Sequence, residues 1–387
     1  MSTPSLPTEH VGSLPRPSRL QQVVLDAEIG AASAADVERE QSRAVLDTVH
    51  KLEATGSPYV NDGEQYRLSF SSYPLSAEGI TEGPLFAVYA DGHHRVIPAL
   101  STAPFRFHSW AAEDVERTRT LTDHPLKQAV VSPSMLSLMV GPEGIGDYSR
   151  QDFLDDVVQG CAEDITRCFA AGASRVSIDF TEGRLALKKN VAKPGHATPV
   201  LSWAGPESLQ GFIELLNRVL DRIPEHLRAN VGVHTCSGND HDSHHSHDVD
   251  YADLIPELFA IEAGYFLMEA ASDAEPDRVA RLVGEQLAKW DHVSRPRQPQ
   301  ILLGVTRTVT PKLETAEDIC DQLVRAARFI PPTLLGSTDD CGFSPYLVDQ
   351  KPRHGSPDFA REVAFAKIAA RVRGTAMAAE VLSGGGV

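Results

Sequence analysis

The fold is decided by the stretch SRQDFLDDVVQGCAEDITRCFAAGASRVSIDF, residues 149–180, where a helical pattern passes directly into a strand pattern. Apolar residues recur at spacings of three and four, which predicts one amphipathic helix over 148–172. Ser149 is a residue type that caps a first helical turn, and Gly172 is one that ends a last turn. The apolar, β-branched run at 175–180 then predicts a buried strand. This stretch therefore forms one helix–strand unit.

The same alternation extends along the chain in both directions. Short apolar runs predict eight strands, at 9–13, 59–63, 126–132, 175–180, 231–235, 264–269, 301–305 and 334–338. Further helices are predicted at 207–222, 251–263, 277–290, 315–329 and 358–381. Alternation of this kind favours parallel strands with right-handed crossovers, and eight units predict an α/β protein with a (β/α)8 TIM barrel. A doubly wound open sheet is the alternative, but no G-x-G-x-x-G motif follows an early strand.

Two segments depart from the repeat. An Asp91-Gly92 pair between apolar runs predicts a hairpin excursion near 85–100. The segment 237–250 is polar, histidine-rich and without periodicity, which predicts a loop. With no internal repeat and no long linker, residues 1–387 are expected to form a single domain.

Composition excludes several classes of protein. The 387 residues carry 36 − 53 = −17 formal charges, which disfavours nucleic acid and anionic membranes as partners. The amino-terminal stretch predicts no signal peptide, and no apolar run approaches the ~20 residues of a membrane span. Five cysteines are a small and odd number for a disulfide framework, so a reducing, cytoplasmic location is expected. The sequence leaves open whether the chain forms a homo-oligomer.

Ionisable and thiol side chains accumulate where the predicted strands end, which is where TIM barrels carry their chemistry. His234 and Cys236 are two residues apart in an extended chain, so both side chains lie on one face. Imidazole and thiolate are both zinc ligands, and Glu269 and Cys341 can converge on them from other strands. The other cysteines fall within predicted helices, where a thiol packs as a small apolar group: Cys161, Cys168 and Cys320.

Several motifs, in order along nearly the whole chain, resemble the catalytic barrel of cobalamin-independent methionine synthase and its short single-barrel relatives. They are the stretches 11–17 (VGSLPRP), 62–64 (DGE), 177–179 (SID), 234–236 (HTC), 267–269 (LME) and 340–342 (DCG). The resemblance implies a zinc ion held by His234, Cys236, Glu269 and Cys341.

The resemblance also implies a site for a small homocysteine-like thiol. Val11, Gly12 and Ser13 would hold the amino-acid carboxylate. Glu64 would lie beside the thiol substrate and Asp179 would bind its amino group, so these two are the expected catalytic residues. We add Arg307, near the expected mouth, as a further substrate contact. A structural ion pair is the alternative for each carboxylate.

The chain departs from the folate-using members of that family. Val309 stands where they place a proton-donating histidine, and the stretch 132–139 contains no tryptophan to stack on a pterin. We therefore expect a zinc-dependent transferase that moves a methyl or other alkyl group onto a small thiol, from a donor other than methyl-folate. The alternatives are an epoxide–thiol transferase of the coenzyme M type and a non-catalytic zinc-binding barrel. The family's remote decarboxylase relatives need no zinc, which would leave the His-x-Cys motif unexplained.

Some residues near the expected mouth remain undecided. A proton donor for an epoxide could be Tyr66, Arg67, Arg307 or a loop histidine. The loop histidines are expected to be solvated: His241, His244, His245 and His247. Four arginines are expected at the surface unless one binds an anionic substrate: Arg16, Arg67, Arg184 and Arg307.

Overall fold

The computed structural model describes residues 6–75, 79–88, 94–187, 206–240, 243–244, 249–344 and 355–384. Its helices are α1 Ser18–Glu28, α2 Ala34–Ala54, α3 Ala111–Arg119, α4 Pro133–Ser137, α5 Arg150–Ala170, α6 Gly183–Leu187, α7 Pro206–Arg222, α8 Glu225–Arg228, α9 Ile255–Leu258, α10 Arg278–Ala288, α11 Ala316–Ala326 and α12 Pro357–Gly384. A 3₁₀ turn at Tyr251–Leu254 leads into α9. Within these ranges, no helix combines the length and the apolarity that crossing a membrane requires.

Six strands form one parallel sheet. The described residues contain ten strands in all: β1 Ile80–Val88, β2 His94–Leu100, β3 Leu126–Val131, β4 Ala173–Asp179, β5 Val231–Thr235, β6 Asn239–Asp240, β7 Ser243–His244, β8 Tyr265–Met268, β9 Gln300–Thr306 and β10 Leu335–Asp339. The sheet has the order β10-β9-β8-β5-β4-β3, and every neighbouring pair in it is parallel. Six of the eight predicted strands are thereby confirmed, and their carboxyl ends lie along one edge.

The first two predicted strands, 9–13 and 59–63, are wrong as strands. Both segments nevertheless lie beside the two edge strands of the sheet, β10 and β3. Thr8 forms a single parallel bridge to Ser337 of β10, and Val60 forms one to Leu126 of β3. The two segments also contact each other, since Leu14 N donates to Gly63 O at 3.1 Å. Each segment pairs at too few positions to count as a strand.

The helix–strand unit that decided the fold is confirmed. The side chain of Ser149 accepts a hydrogen bond from Asp152 N at 3.1 Å, which satisfies a donor of the first turn of α5. After the helix, Gly172 has a φ of 104°, a conformation that suits glycine. The apolar face of α5 is buried, including Cys161 and Cys168, as expected.

Side chains of the sheet alternate between two buried faces. In β8, Phe266 and Met268 belong to the large apolar cluster that also contains the helices. Tyr265 and Leu267 belong to a separate small cluster on the opposite face, together with Val11 and Leu302. Because successive side chains of a strand point to opposite faces, Glu269 lies on the side of Tyr265 and Leu267. The candidate site is built on this second face.

The structure confirms part of what was predicted for the two segments that depart from the repeat. β1 and β2 form the expected antiparallel hairpin, although it begins earlier, at Ile80, and its Asp91-Gly92 turn lies outside the described residues. The polar loop at 237–250 contains the two-residue pair β6–β7. The helix predicted at 251–263 is instead the 3₁₀ turn followed by α9. The helices α1, α2 and α3 were not predicted.

Candidate metal and thiol site

Three side chains meet at the carboxyl end of the parallel sheet. His234 lies in β5, Cys236 follows β5 directly, and Cys341 follows β10. Their ligand atoms all lie within 4.8 Å of one another, and the two sulfurs are 3.2 Å apart. A disulfide would need about 2.05 Å between the sulfurs, so the two cysteines are not joined. This His-Cys-Cys cluster could hold a metal ion, and it contains three of the four predicted ligands.

His234 is oriented by a carboxylate. Its Nδ1 lies 3.2 Å from Asp179 Oδ1, and both side chains are buried. Because an ionised carboxylate only accepts hydrogen bonds, this contact places a proton on Nδ1, and in the neutral form of the imidazole the lone pair is then on Nε2. His234 Nε2 is buried without a hydrogen-bond partner among the described residues. The arrangement matches the carboxylate–histidine pairs that orient metal ligands in proteins.

The Cys236 sulfur lies among hydrogen-bond donors. Gly238 N donates to it at 3.3 Å, and Arg184 Nη1 lies 3.9 Å away. The hydrogen bond with Cys341 lowers the pKa of the Cys236 thiol well below its ordinary value, with further help from the His234 and Arg184 charges against the effect of burial. The thiolate is the form that binds metals, so these contacts favour a ligand role for Cys236.

Glu269, the fourth predicted ligand, lies outside the cluster and is held by its neighbour Ser237. Ser237 N donates to Glu269 Oε2 at 2.5 Å, and Ser237 Oγ lies 2.9 Å from Glu269 Oε1. Both residues are buried. Ser237 comes directly after Cys236, so the carboxylate is next to the cluster while bonded elsewhere. The sequence did not predict this contact, because it joins two different loops.

Asp340 connects the loop that carries Cys341 to the loop after Glu269. Its Oδ1 accepts from Ala270 N at 3.0 Å and from Ala271 N at 2.9 Å. Gly304 of β9 makes room for this contact, because a methyl group on Gly304 would lie 2.1 Å from Asp340 Oδ1. The glycine therefore helps to set the position of the strand ends around the cluster.

We expect Gly304→Ala to displace Asp340 and with it Cys341. The overpacking should lower the free energy of unfolding by about 1–3 kcal/mol and should weaken metal binding. Denaturant melts and metal analysis after dialysis measure the two effects. Gly211→Ala in α7 is the matched control, since its added methyl group would have no described neighbour within 4 Å beyond the backbone of its own helix. It should raise stability by up to ~1 kcal/mol and leave metal binding unchanged. Unaltered metal binding in Gly304→Ala would contradict the positioning role of Gly304.

The predicted carboxylate-binding segment lies beside the cluster. Ser13 O accepts from Phe343 N at 2.9 Å, and a methyl group on Gly342 would lie 2.2 Å from Ser13 Oγ. The first loop therefore packs against the loop that carries Cys341. Gly12 O accepts from Asn61 Nδ2 at 3.2 Å, whereas the Val11 side chain belongs to the apolar cluster of the sheet interior.

Glu64 has the features of a functional carboxylate. It is buried, and its φ of 59° lies in the left-handed region that non-glycine residues rarely adopt. Burial raises the pKa of Glu64 to about 7, although the guanidinium groups of Arg67 and Arg16 oppose the shift. Its Oε2 has no hydrogen-bond partner among the described residues, and its Oε1 lies 3.1 Å from where a methyl group on Gly12 would be. Gly12 thus leaves space beside this carboxylate.

Three of the four arginines near the mouth are buried, so the expectation of solvation was wrong for them. Arg16 donates to the carbonyl oxygens of Leu14, Ser344, Glu64 and Arg67. Arg67 pairs with Asp114 at 2.8 Å and donates to Ala129 O at 2.9 Å. Arg184 is buried beside Cys236, as described above. Burial is tolerated because these cations have specific acceptors.

Arg307 is exposed, as expected, and is anchored through its Nε–H to Ala271 O at 2.6 Å. Cys320 is buried in α11, also as expected. His241, His245 and His247 lie outside the described residues, as does the side chain of His244. Their predicted solvation stays a prediction.

Two further buried groups have no predicted role. Lys127 of β3 is buried, and its Nζ has no hydrogen-bond partner among the described residues. A methyl group on Gly12 would lie 3.9 Å from this Nζ. Burial lowers the pKa of Lys127, against the carboxylates of Glu9, Asp179 and Glu64. Glu182 accepts from the hydroxyls of two serines that flank the start of α4, Ser132 and Ser134. The available signal for the first was a lysine inside the run 126–131, which was predicted to be a buried strand.

The fold and the site define an α/β protein with a parallel sheet and a His-Cys-Cys cluster at the carboxyl edge of that sheet. No protein-family model matches the chain. The methionine synthase of Sulfurisphaera tokodaii is 22% identical over 389 residues, which cover 99% of this chain and 95% of that protein. The uncharacterized protein YxjH of Bacillus subtilis is 24% identical over 87% of this chain and 86% of its own length.

Two solved structures have a similar fold over nearly the whole chain. A B12-independent methionine synthase from Shewanella sp. W3-18-1, in complex with selenomethionine, has a TM-score of 0.70 at 18% identity and covers 98% of this chain and 99% of that one. The putative enzyme of this name from Listeria monocytogenes has a TM-score of 0.63 at 19% identity, covering 97% and 98%. The chain is a distant relative of the cobalamin-independent methionine synthases, which confirms the resemblance that its motifs indicated.

Proposed function

We propose that the chain is a zinc-dependent transferase that moves a methyl or other alkyl group onto a small, homocysteine-like thiol. The observation that carries the proposal is the cluster of His234, Cys236 and Cys341 at the carboxyl edge of the sheet. The methionine synthases to which the chain is similar support methyl transfer as the reaction type.

The donor set fits zinc. Two thiolates and one imidazole are ligands typical of zinc sites with an open position for substrate. Two sulfurs at about 2.3 Å from a tetrahedral zinc would lie roughly 3.8 Å apart. The observed 3.2 Å between Cys236 and Cys341 needs only a small separation to reach that value. The buried, unpartnered Nε2 of His234 supports the same assignment.

When bound, zinc would lower the pKa of a coordinating thiol, so that it is held as a reactive thiolate at neutral pH. Asp179 orients the His234 ring, and Gly238 N and Arg184 stabilise the Cys236 thiolate. In this proposal Ser13 and the backbone near it bind the substrate carboxylate. Glu64 and Asp179 accept hydrogen bonds from the substrate ammonium group, and burial and an unpartnered oxygen suit Glu64 to this role. The substrate sulfur then attacks the alkyl carbon as the bond from that carbon to the donor breaks.

The donor is proposed to differ from methyl-folate. Val309 takes the position that the resemblance gives to a proton-donating histidine, and no tryptophan occurs in 132–139. Arg307, anchored next to the loop after Glu269, is proposed as a substrate contact at the mouth. An epoxide–thiol transferase on the same cluster is the alternative, and the assay below separates the two.

We further infer that residues 1–387 form one closed (β/α)8 barrel. The bridges of Thr8 to β10 and of Val60 to β3 support closure, as does the hydrogen bond between Leu14 and Gly63. These contacts occur where the missing two strands of a barrel would lie. A cytoplasmic, reducing location is proposed because the cluster needs reduced thiols.

A matrix of thiols and alkyl donors tests the function. We expect homocysteine-like thiols to be alkylated, and methyl-folate to be turned over at least about tenfold more slowly than the best other donor, because a general acid typically contributes more than that factor. Product formation is measured by mass spectrometry with the zinc-loaded protein. Adducts of coenzyme M with epoxides, without methyl transfer, would favour the alternative. Methyl-folate turnover equal to the best donor would refute the altered folate site.

A further inference from the structure

The Glu269 carboxylate is hydrogen-bonded to Ser237, which lies in the loop after β5. Ser237 supplies two donors to it, a backbone N–H at 2.5 Å and a hydroxyl at 2.9 Å. Each carboxylate oxygen thus has its own donor. Glu269 N in turn donates to Thr235 O at 3.3 Å, so the backbone of this residue is tied to the end of β5.

Ser237 is adjacent to the cluster through the chain. It follows Cys236 directly, and Gly238, the next residue, donates to the Cys236 sulfur. The Glu269 carboxylate is therefore bonded to the residue that follows the ligand Cys236 in the chain, but it is not part of the His-Cys-Cys cluster.

A buried carboxylate needs partners wherever it lies. An ionised carboxylate without donors in a buried site is strongly destabilising, so a ligand that leaves a metal needs a second set of donors. Glu269 is about 5% exposed and cannot be solvated well. The two donors of Ser237 provide such a second position.

We propose that Ser237 is a positioning residue that holds the Glu269 carboxylate beside the cluster, so that the fourth ligand position is left to the substrate thiol. The inference rests on the proposed function. In this view Glu269 has two positions, one as a metal ligand and one on Ser237. The hydroxyl of Ser237 favours the second position and therefore favours thiol binding.

The test uses Ser237→Ala in the full chain loaded with cobalt in place of zinc. The substitution removes the hydroxyl donor and keeps the backbone N–H. We expect metal affinity, measured by chelator competition, to rise by about tenfold, and homocysteine affinity to fall by a similar factor. Cobalt absorption bands report thiol binding without any turnover. Ser237→Thr, which retains a hydroxyl, should behave as the wild type.

Glu269→Ala supplies the second half of a double-mutant cycle. In that background, Ser237→Ala should change homocysteine affinity by less than about twofold, because there is no carboxylate left to hold. A merely structural role for Ser237 gives a different pattern. Metal affinity and thiol affinity would then fall together, and the loss would persist in the Glu269→Ala background. That pattern would overturn the inference, as would unchanged metal affinity in Glu269→Ala alone.

Failure of the inference is distinguishable from failure of the proposed function. If the wild-type protein binds cobalt with thiolate charge-transfer absorption and binds homocysteine, the proposed function stands. An absence of coupling in the cycle then refutes only the role of Ser237. A wild-type protein that binds no cobalt at the cluster refutes both.

Discussion

Cys341→Ser and Cys236→Ser should each remove the metal from the protein. A serine hydroxyl is a much poorer zinc ligand than a thiolate, so we expect about one zinc per chain in the wild type and a loss of at least about a hundredfold in zinc affinity in either variant. Thiol alkylation should be lost with the metal. Metal analysis of protein purified without added metal measures the first effect, and chelator competition measures the affinity.

Cys320→Ser is the matched control for these variants. Cys320 is buried in α11, away from the cluster, so its replacement should leave zinc content unchanged. Circular dichroism shows whether each variant is folded. A folded Cys341→Ser protein that keeps its zinc would contradict the ligand assignment, and a wild-type protein without zinc would contradict the proposed function.

Asp179→Asn is expected to have the second-largest effect, because Asp179 has two proposed roles. As the partner of His234 Nδ1, it orients the imidazole, and loss of such a carboxylate typically costs about 10–100-fold in metal affinity. As a partner of the substrate ammonium group, its loss should also raise KM for homocysteine even when zinc is saturating. The two roles are separated by measuring zinc affinity and KM independently.

Asp155→Asn is the control for Asp179→Asn. Asp155 is exposed and pairs with Arg218 at the surface, so its neutralisation should change neither zinc affinity nor KM. If Asp179→Asn lowers zinc affinity but leaves KM unchanged at saturating zinc, its role is limited to His234. If neither quantity changes, both proposed roles are wrong.

The sequence predicted the sheet where strands are buried on both faces. The strands β3, β4, β5, β8, β9 and β10 are buried at nearly every position, and each was placed within two residues of its observed bounds. The first two segments failed as strands because their polar residues serve loops and the site, leaving one bridge each. Helices α1 and α2 were missed because few of their residues are buried, three in α1 and six in α2.

The candidate site was predictable where the chain itself sets the geometry. His234 and Cys236 share a face because they are two apart in a strand, and Cys341 follows a strand in the same sheet. The contact between Ser237 and Glu269 depends on two loops that are far apart in sequence, and no local pattern encodes it. The burial of Arg16 was unpredictable for the same reason, since its acceptors come from three separate segments.

Arg16 also has a consequence for how the protein is made. Its guanidinium group donates to two carbonyl oxygens that lie far apart in the sequence, those of Glu64 and Ser344. During synthesis the amino-terminal loop emerges early, but Ser344 emerges only when most of the chain has been translated. Until then this buried cation lacks one of its acceptors, and Thr8 lacks its pairing with Ser337. The amino-terminal loop should therefore reach its final position late, after the central strands have folded, and a ribosome-bound fragment ending before residue 337 should leave it accessible to protease.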